Sequence, residues 1–414
     1  MRKRFILLAV IAVTAAVATV AALAGTKADP GITSRTITLG GTFPLSGPAS
    51  SYAPIPVGMR AYFSYANATR RKDGKRGVHG RQIKWIYYDD GYNPANTVQQ
   101  TRKLVEQDKV FALFGGLGTE PQQAVKNYLN DQKVPQLFVS TGATEFGSQY
   151  TQYPYTMGWQ PDYQAEGAIY GKYIVANQGT KKIAVILQND SYGEDYLNGL
   201  KAGLGQKTSN IISTQRFEVT APSVGQQVAA LKASGADIVC IFATPAKTIQ
   251  TYATMKALNY KPGNIYVNSV SATDTFMKLA VANAGADYVN GSVSTGYSKD
   301  PASPKYANDP AVKLYKKIIA KYAPNANAND GLVYYGVEKA YDVVQLLYNS
   351  GKNPTRASLL AAAKKMNWTN PFTLTGVKVQ TTGSDRFPIS QVKLIRFNNG
   401  IWNEFGSLIN GRGK

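Results

Sequence analysis

The chain has almost no residues with which to build a nucleophilic or metal centre, because it contains one cysteine and one histidine among 414 residues. Cys240 lies in the apolar run 238–242, so it is predicted to be a buried small hydrophobe, and a disulfide within the chain is excluded. His79 lies in the loop 77–80 and is predicted to be solvated. A catalytic triad would need this one imidazole, and a histidine-based metal site could not be assembled. We therefore expect no catalytic residue, no metal and no cofactor.

Long apolar runs are equally scarce, and the only one that approaches a membrane span is at the amino terminus. Basic residues 2–4 precede an apolar stretch from Phe5 to Leu23, and small-x-small sites follow at residues 22–24 and 26–28. This order is typical of a secretory signal peptide, which we place at residues 1–24, while an uncleaved anchor is the alternative. No cysteine lies nearby to carry a lipid. We expect an exported, soluble protein, periplasmic or extracellular.

Acidic residues are few relative to basic ones, with 25 Asp plus Glu against 46 Lys plus Arg and a net charge of +21. An excess of this size is compatible with nucleic acid, an anionic surface or anionic solutes as partners. The basic residues are mostly spread singly, and the denser run 70–76 lies in a glycine-containing loop without a helix-turn-helix, zinc or aromatic–basic signature. We expect no nucleic-acid partner and a solvated basic surface that steers solutes.

Strand and helix signals alternate along the chain and restart near residue 160. Apolar runs such as Ile83–Tyr88 and Val134–Val139 are separated by amphipathic stretches, and the same rhythm resumes after Trp159. Alternation of this kind predicts parallel sheets with helices on both faces. The predicted fold class is α/β with two doubly wound lobes, and a cleft between two such lobes is a natural site for a small molecule.

The last third of the chain departs from that rhythm. A strand is predicted at Val289–Ser294, helices follow, and a β-hairpin is predicted from Val377–Val379 and Val392–Phe397 with a turn at 398–400. These elements are too few for a third doubly wound domain, so we expect them to complete the two lobes.

The first strand runs into a turn that could hold a ligand. Two glycines at positions 40 and 41 precede Ser46, in a Ser-Gly-Pro turn that leads to an amphipathic stretch. The Ser46 hydroxyl and free backbone N–H groups in such a turn can hold a carboxylate, although a plain strand-to-helix turn is the alternative. A dinucleotide-binding enzyme would carry G-x-G-x-x-G after this strand, and neither this segment nor Gly115-x-x-Gly118 matches that pattern.

Several short motifs occur in an order that resembles a known family. They are Leu45-Ser46-Gly47-Pro48, Tyr88-Asp89-Asp90-Gly91-Tyr92-Asn93-Pro94, Phe114-Gly115-Gly116-Leu117-Gly118-Thr119, Val139-Ser140-Thr141-Gly142-Ala143-Thr144 and Asp190-Ser191-Tyr192-Gly193. Over roughly residues 35 to 405 the chain resembles the type I periplasmic solute-binding proteins of the leucine/isoleucine/valine-binding kind, which serve ABC importers.

The resemblance implies how the chain is divided and how it works. It implies crossings between lobes near Trp159, Thr295 and Phe387, an N-terminal lobe of residues 33–158 plus 296–387, and a C-terminal lobe of residues 159–295 plus 388–414. A solute would be captured by closure of the hinge, and a monomer would present it to a membrane permease. A ligand sensor with the same cleft is the alternative, and neither reading is an enzyme.

Carried over position by position, the resemblance also implies ligand contacts. A carboxylate would be read by the glycine loops, and Tyr52 and Tyr192 would close the site from the two lobes. The expected contact residues are Ser46, Tyr52, Gly116, Gly118, Thr119, Gly142, Ala143, Thr144, Tyr192, Thr244, Ser269 and Tyr335.

Two departures from the family pattern bear on the ligand. Gly116 stands where amino-acid-binding members commonly have a serine, and Ser269 stands where they have the acid that pairs with the ligand ammonium. Because an unpaired buried ammonium is costly, either Asp190, Asp274 or Glu166 replaces that acid or the ligand is not a zwitterionic amino acid. Branched-chain amino acids are the family default, and aromatic or aliphatic acids and amides are the alternatives.

Overall fold

A computed structural model describes residues 28–411, and its first structural unit is a five-stranded sheet. Its strands are parallel and lie in the order β2-β1-β3-β4-β5. They are β1 (Thr36–Phe43), β2 (Gln82–Asp89), β3 (Ala112–Phe114), β4 (Gln136–Val139) and β5 (Thr156–Gly158). Except on β2, the strands are largely buried apolar runs, as parallel strands covered on both faces require.

The second unit is a seven-stranded sheet that repeats the same order of its first five strands. The strands are β6 (Ile183–Gln188), β7 (Ile211–Phe217), β8 (Ile238–Phe242), β9 (Asn264–Val267) and β10 (Val293–Gly296), then the separate pair β11 (Asn367–Trp368) and β12 (Val379–Gln380), and finally β13 (Gln391–Asn398) and β14 (Ile401–Asn410). β7-β6-β8-β9-β10 are parallel, and the hairpin β13–β14 adds antiparallel strands beside β10.

Helices cover both sheets and connect consecutive strands. They are α1 (Pro54–Ala68), α2 (Pro94–Arg102), α3 (Thr119–Asp131), α4 (Glu145–Ser148), α5 (Tyr163–Gln178), α6 (Ser191–Leu204), α7 (Gly225–Ser234), α8 (Pro245–Ala257), α9 (Asp274–Ala284), α10 (Ala286–Val289), α11 (Pro310–Tyr322), α12 (Gly331–Asn349) and α13 (Arg356–Ala363). Polar caps define several starts, such as Asp162 before α5 and Asp190 before α6, whose carboxylates accept backbone N–H groups.

The strand order places a site between the two units. In each sheet the two strands that follow the first strand in sequence lie on opposite sides of it, so the direction in which strands are added reverses between β1 and β3 and between β6 and β8. Ligands of such open α/β sheets bind outside the carboxyl ends of the strands at this switch point. The loops after β3 and β4 in the first sheet and after β8 and β9 in the second come together at one cavity.

Helix α12 belongs spatially with the first sheet although it follows the second in sequence. It crosses α1 at two glycines: a Cβ added at Gly58 would lie 2.1 Å from the Val333 carbonyl oxygen, and one added at Gly336 would lie 2.2 Å from that of Ile55. Only glycine permits so close a backbone approach. The crossing fixes the side of α12 that carries Tyr335 and Lys339 against the loops of the first sheet.

The α/β class and its parallel sheets are confirmed, and three local predictions are wrong. The closing hairpin pairs β13 with β14, whereas Val379 pairs with Trp368. The strand placed at Val289–Ser294 begins only at Val293, because α10 ends at Val289. His79 is held by Asp73 and the Tyr348 carbonyl, each at 2.9 Å, and stacks on the Tyr348 ring, so it is not a solvated residue.

The single cysteine also lies where the sequence places it. Cys240 is fully buried on β8, as predicted. Within residues 28–411 no helix is long and apolar enough to cross a bilayer. The signal peptide expected at residues 1–24 lies outside the described residues, and the lobe boundaries stay a prediction.

The glycine crossing yields a test of the packing. We expect Gly336→Ala to lower the free energy of unfolding by about 2 kcal/mol or more, because the new methyl group overlaps a backbone carbonyl and forces the helices apart. Gly383→Ala is the control, since a Cβ there meets nothing within 4 Å, and it should change stability by less than about 0.5 kcal/mol. Equilibrium denaturation measures both, and equal stabilities would contradict the crossing.

Candidate functional site

The cavity between the two sheets has a volume of about 180 Å³ and a wall that is unusually rich in tyrosine. Eight tyrosines line it: Tyr52, Tyr92, Tyr163, Tyr192, Tyr297, Tyr306, Tyr334 and Tyr335. Burial raises the pKa of each of these phenols above its ordinary value. The wall is therefore apolar over most of its area and presents neutral hydroxyl groups to a ligand.

The structure brings seven of the twelve expected contact residues to this cavity. They are Tyr52, Gly118, Thr119, Tyr192, Thr244, Ser269 and Tyr335. The Tyr52 hydroxyl donates to the Val270 carbonyl across the cleft at 3.3 Å, and the Tyr192 hydroxyl pairs with the amide of Asn268. Their roles in binding stay predictions.

Two of the other five lie where the protein satisfies them itself. Ser46 is exposed, and the backbone N–H groups of Leu45 and Ser46 donate to the Asp89 carboxylate at 2.8 and 3.2 Å. The turn thus holds a carboxylate, but one from its own chain. Gly116 is packed against Gln122, whose side-chain oxygen would lie 2.4 Å from an added Cβ.

The loop of Gly142, Ala143 and Thr144 is covered by the segment that enters α5. A Cβ at Gly142 would lie 2.1 Å from the Pro161 carbonyl oxygen and 2.7 Å from the Tyr163 ring. The Thr144 hydroxyl donates to Asp162 at 2.5 Å, and its backbone N–H donates to Asp195 at 2.9 Å. These three residues do not line the cavity, and Tyr163 stands between their loop and the space for a ligand.

Two of the acids considered for an ammonium already accept hydrogen bonds from the protein. The carboxylate of Glu166 accepts from the hydroxyls of Tyr170, Tyr196 and Ser269 and from the Ser269 backbone N–H, at 2.5 to 2.9 Å. Asp190 accepts from Gly193 N–H at 3.1 Å and from Gln188 at 2.5 Å. Ser269 therefore shields Glu166 from the cavity.

Behind the tyrosine wall lies a lysine with no exposed surface. Lys339 on α12 donates to the Ser140 hydroxyl and to the Tyr335 hydroxyl, the latter at 2.8 Å. Its ammonium lies 5.0 Å from the ring centroid of Trp159 and 4.5 Å from that of Tyr335, within the range of cation–π attraction. Within the described residues, no carboxylate lies at ion-pair distance from it.

The electrostatics around Lys339 are those of a small buried network. Burial lowers the pKa of Lys339 well below its usual range, and nearby Glu338 and Asp342 oppose that effect. Burial raises the pKa of Glu338 to about 8 and that of Asp342 to about 7. Asp342 is held by the indole N–H groups of Trp159 and Trp368 at 2.9 and 2.8 Å.

A directional chain of hydrogen bonds leads from Lys339 to the cavity. Lys339 donates to the Tyr335 oxygen, whose own O–H donates to Gln160 Oε1 at 2.7 Å. The amide nitrogen of Gln160 then donates to the Tyr163 oxygen at 3.0 Å. The last hydrogen in the chain belongs to Tyr163, and Tyr335, Gln160 and Tyr163 all line the cavity. This end of the site is therefore oriented to donate to an acceptor.

Buried polar atoms without a hydrogen-bond partner also collect on the cavity wall. They are Thr244 Oγ1, Thr295 Oγ1 and Trp402 Nε1. Buried polar groups are rarely left unpaired in a folded protein, so such a concentration indicates a place for a ligand or water. In the described part of the chain, no group of three or more His, Cys, Asp or Glu side chains could hold a metal ion.

Sequence reasoning missed Lys339, Gln160 and Tyr163. One signal was present for Lys339: Tyr335, Lys339 and Asp342 recur at i, i+4 and i+7 on the face of α12 that is otherwise apolar, which is an unusual place for charges. Gln160 and Tyr163 carried no comparable signal, because their importance comes from the covering of the Gly142 loop.

Comparison with known proteins identifies a family over most of the chain and individual relatives over part of it. A family described as "Periplasmic binding protein" matches residues 36–400. The leucine-specific-binding protein of Salmonella typhimurium is 27% identical over 169 residues, which is 41% of this chain and 43% of that protein, so the match spans less than half of the relative's length.

Solved structures match over nearly the whole chain. A branched-chain amino acid ABC transporter protein of Thermus thermophilus with bound valine is 15% identical, with a TM-score of 0.78, covering 92% of this chain and 97% of that one. A solute-binding protein of Rhodopseudomonas palustris in complex with 3,4-dihydroxybenzoic acid is 20% identical, with a TM-score of 0.71, covering 91% and 98%. At these identities the likeness shows the fold. The family match over residues 36–400 confirms the resemblance drawn from the motifs.

Asp274 gives a pH-dependent test of the cavity's electrostatics. Burial, and next the Asp300 carboxyl, raise the pKa of Asp274 from 3.8 to about 7, with Lys278 opposing. A raised pKa means that the stability contributed by the protonated carboxyl is lost as the pH rises from about 3.8 through about 7. We expect Asp274→Asn to raise the melting temperature by about 2 °C or more at about pH 8.5 and by less than about half as much at about pH 5.

The control for this substitution is Asp287→Asn, at a carboxylate that is 63% exposed and paired with Lys261 at 3.2 Å. Thermal melts at both pH values make the comparison. An Asp274→Asn effect of the same size at both would contradict the assignment of a buried, uncompensated charge.

Proposed function

The chain belongs to the periplasmic binding protein family, and we propose that it is the extracytoplasmic solute-binding component of an ABC importer. In this role it captures a small molecule in the cavity between its two lobes and presents it to a membrane permease, without chemical change to the ligand. The observation that carries the proposal is the cavity at the carboxyl ends of both sheets, with partnerless polar atoms on its wall.

The ligand we propose is a carboxylate with an apolar or aromatic body. The hydrogen-bond chain from Lys339 through Tyr335 and Gln160 supports an acceptor at Tyr163, because each bond of the chain points toward the Tyr163 hydroxyl. A carboxylate is the strongest common acceptor for such a donor. The tyrosine rings around it favour a flat or branched hydrocarbon body.

A branched-chain amino acid, the family default, is less well supported. Its ammonium would need an acid near the glycine loops, and Glu166 is covered there by Ser269. The loop of Gly142 and Thr144 is covered by Pro161–Tyr163, and Thr144 already donates to Asp162 and Asp195. The complex of the Rhodopseudomonas palustris protein with 3,4-dihydroxybenzoic acid supports an aromatic acid as a ligand for this fold.

Closure of the hinge is the proposed mode of capture. Contacts cross the cleft from Tyr52 to Val270 at 3.3 Å and from Gln123 to Ser191 at 3.1 Å. A ligand that touches Tyr335 on one side and Tyr163 and Thr244 on the other binds the closed arrangement better than an open one. That difference in affinity is what would shift the population toward closure.

The ligand class is tested by calorimetric titration with benzoate, 4-hydroxybenzoate, L-leucine and L-valine. We expect the aromatic acids to bind more tightly than the amino acids. Tyr163→Phe removes the proposed donor to the ligand carboxylate, and Lys339→Met removes the first donor of the hydrogen-bond chain. Each should weaken binding of the aromatic acids about tenfold or more.

Tyr315→Phe is the matched control, because this phenol is buried outside the cavity and has no hydrogen-bond partner. It should leave affinity unchanged. Tighter binding of leucine or valine than of the aromatic acids, or unchanged affinity in Tyr163→Phe, would overturn the proposed ligand class.

A further inference from the structure

We propose that the pole of the first unit farthest from the cavity docks on a membrane surface that contains anionic lipid. The inference goes beyond the proposed function, because it concerns the amino ends of the strands of the first sheet, whereas the cavity lies at their carboxyl ends. We call this surface the basic pole and define it by six exposed basic residues: Arg35, Lys72, Arg76, Lys109, Lys133 and Lys352.

Three members of the basic pole lie where neighbouring strands of the first sheet begin. Arg35 directly precedes β1, and Lys109 and Lys133 lie in the turns that lead into β3 and β4. Because neighbouring strands are about 4.8 Å apart, the starts of these three strands lie within about 10 Å of one another. The Arg356 guanidinium closes this edge by donating to the Phe111 carbonyl at 2.9 Å.

The other three members join the same edge through hydrogen bonds. Arg81, which directly precedes β2, donates from its guanidinium to the Lys352 carbonyl at 2.5 Å. The loop 70–76 carries the remaining two, and the Arg71 side chain ties that loop to α12 by donating to Gln345 at 2.8 Å. The six side chains therefore share one continuous surface.

The charge of the basic pole is largely uncompensated. Among residues 28–411, no carboxylate lies at ion-pair distance from any of the six side chains. Asp29 accepts from the Arg356 backbone N–H at 2.6 Å, and Asp73 pairs with His79 at 2.9 Å. Asp131 is exposed and offsets part of the charge. The positive potential of this surface therefore extends into solvent over about 8–10 Å.

The second unit, which repeats the strand order, differs at the corresponding edge. In the turns before β3 and β4, Lys109 and Lys133 adopt positive φ angles of 52° and 54°. The corresponding turns before β8 and β9 have Gly235 and Asn259 at 68° and 52°. Glycine and asparagine are the residues that this left-handed backbone favours. The two lysines therefore place charge on the basic pole at a backbone cost that glycine would avoid.

A lipid surface fits the basic pole better than a soluble anion does. The six side chains are spread over an open edge, so they match a layer of phosphate groups rather than one bound ion. The first described residues lie at this edge, where the Gly31 carbonyl accepts from Thr38 N–H at 2.8 Å. The apolar stretch Phe5–Leu23, which we expect to enter a membrane as a signal peptide or an anchor, precedes them in sequence.

The test measures how the full-length protein partitions onto sedimented vesicles of phosphatidylcholine and phosphatidylglycerol in equal parts. We expect binding at about 0.01 M ionic strength and release at about 1 M, because the screening length falls from about 30 Å to about 3 Å. Each basic residue near an anionic leaflet contributes about fivefold to partitioning. The combined variant Lys72→Gln, Lys109→Gln and Lys352→Gln should therefore bind about a hundredfold more weakly than the wild type.

The matched control removes the same charge from the second unit, through Lys182→Gln, Lys201→Gln and Lys207→Gln at exposed lysines. It should bind these vesicles as the wild type does. An equal loss in both variants would mean that only net charge matters and would overturn the basic pole. Absence of wild-type binding, or equal binding to vesicles of phosphatidylcholine alone, would overturn it as well.

Two further measurements keep the outcome independent of folding and of the proposed function. Thermal melts should give the same melting temperature for both variants and the wild type, because all the substituted side chains are exposed. Calorimetric titration with benzoate should give the same affinity in all three, since the basic pole lies at the opposite end of the first sheet from the cavity. Loss of vesicle binding with benzoate binding intact supports the basic pole.

Discussion

The cavity depends on one buried lysine. Lys339 has no exposed surface, so its amino group must find hydrogen-bond acceptors inside the protein. It is held by two hydroxyls and two aromatic faces rather than by an ion pair. Because the Lys339 nitrogen donates to the Tyr335 oxygen, the bonds that follow run in one direction, through Tyr335 and Gln160 to Tyr163. The lysine thus orients the hydroxyl groups of the cavity wall toward a hydrogen-bond acceptor.

The fold supplies the rigidity that this chain of bonds requires. Lys339 and Tyr335 are one turn apart on α12, and the glycine crossing between α12 and α1 locks that helix against the first sheet. Gln160 and Tyr163 enter from the segment that connects the two sheets. The hydrogen-bond chain therefore joins the hinge region to the first lobe. A ligand at Tyr163 would contact the region where the lobes meet, and binding there would act most directly on closure of the hinge.

Much of the fold could be predicted from the sequence, because buried parallel strands are continuous apolar runs bounded by glycine, proline and polar caps. β14 was missed because Ile401–Asn410 mixes tryptophan, asparagine, glutamate and glycine without clear alternation. The resemblance could identify residues near the site, but it could not show which of them are open to a ligand. Whether the Gly142 loop is open depends on Pro161 and Tyr163, and whether Gly116 is free depends on Gln122. These are packing facts with no local sequence signal. Lys339 was overlooked because lysine is seldom fully buried.

The most direct measurement is a crystal structure of the protein with a bound aromatic carboxylate. The account predicts a carboxylate oxygen at hydrogen-bond distance, about 2.5–3.0 Å, from the Tyr163 hydroxyl, with the bonds from Lys339 through Tyr335 and Gln160 intact. It also predicts that Pro161–Tyr163 still cover the Gly142 loop. A carboxylate bound to the backbone N–H groups of Gly142–Thr144, with Tyr163 displaced, would contradict it.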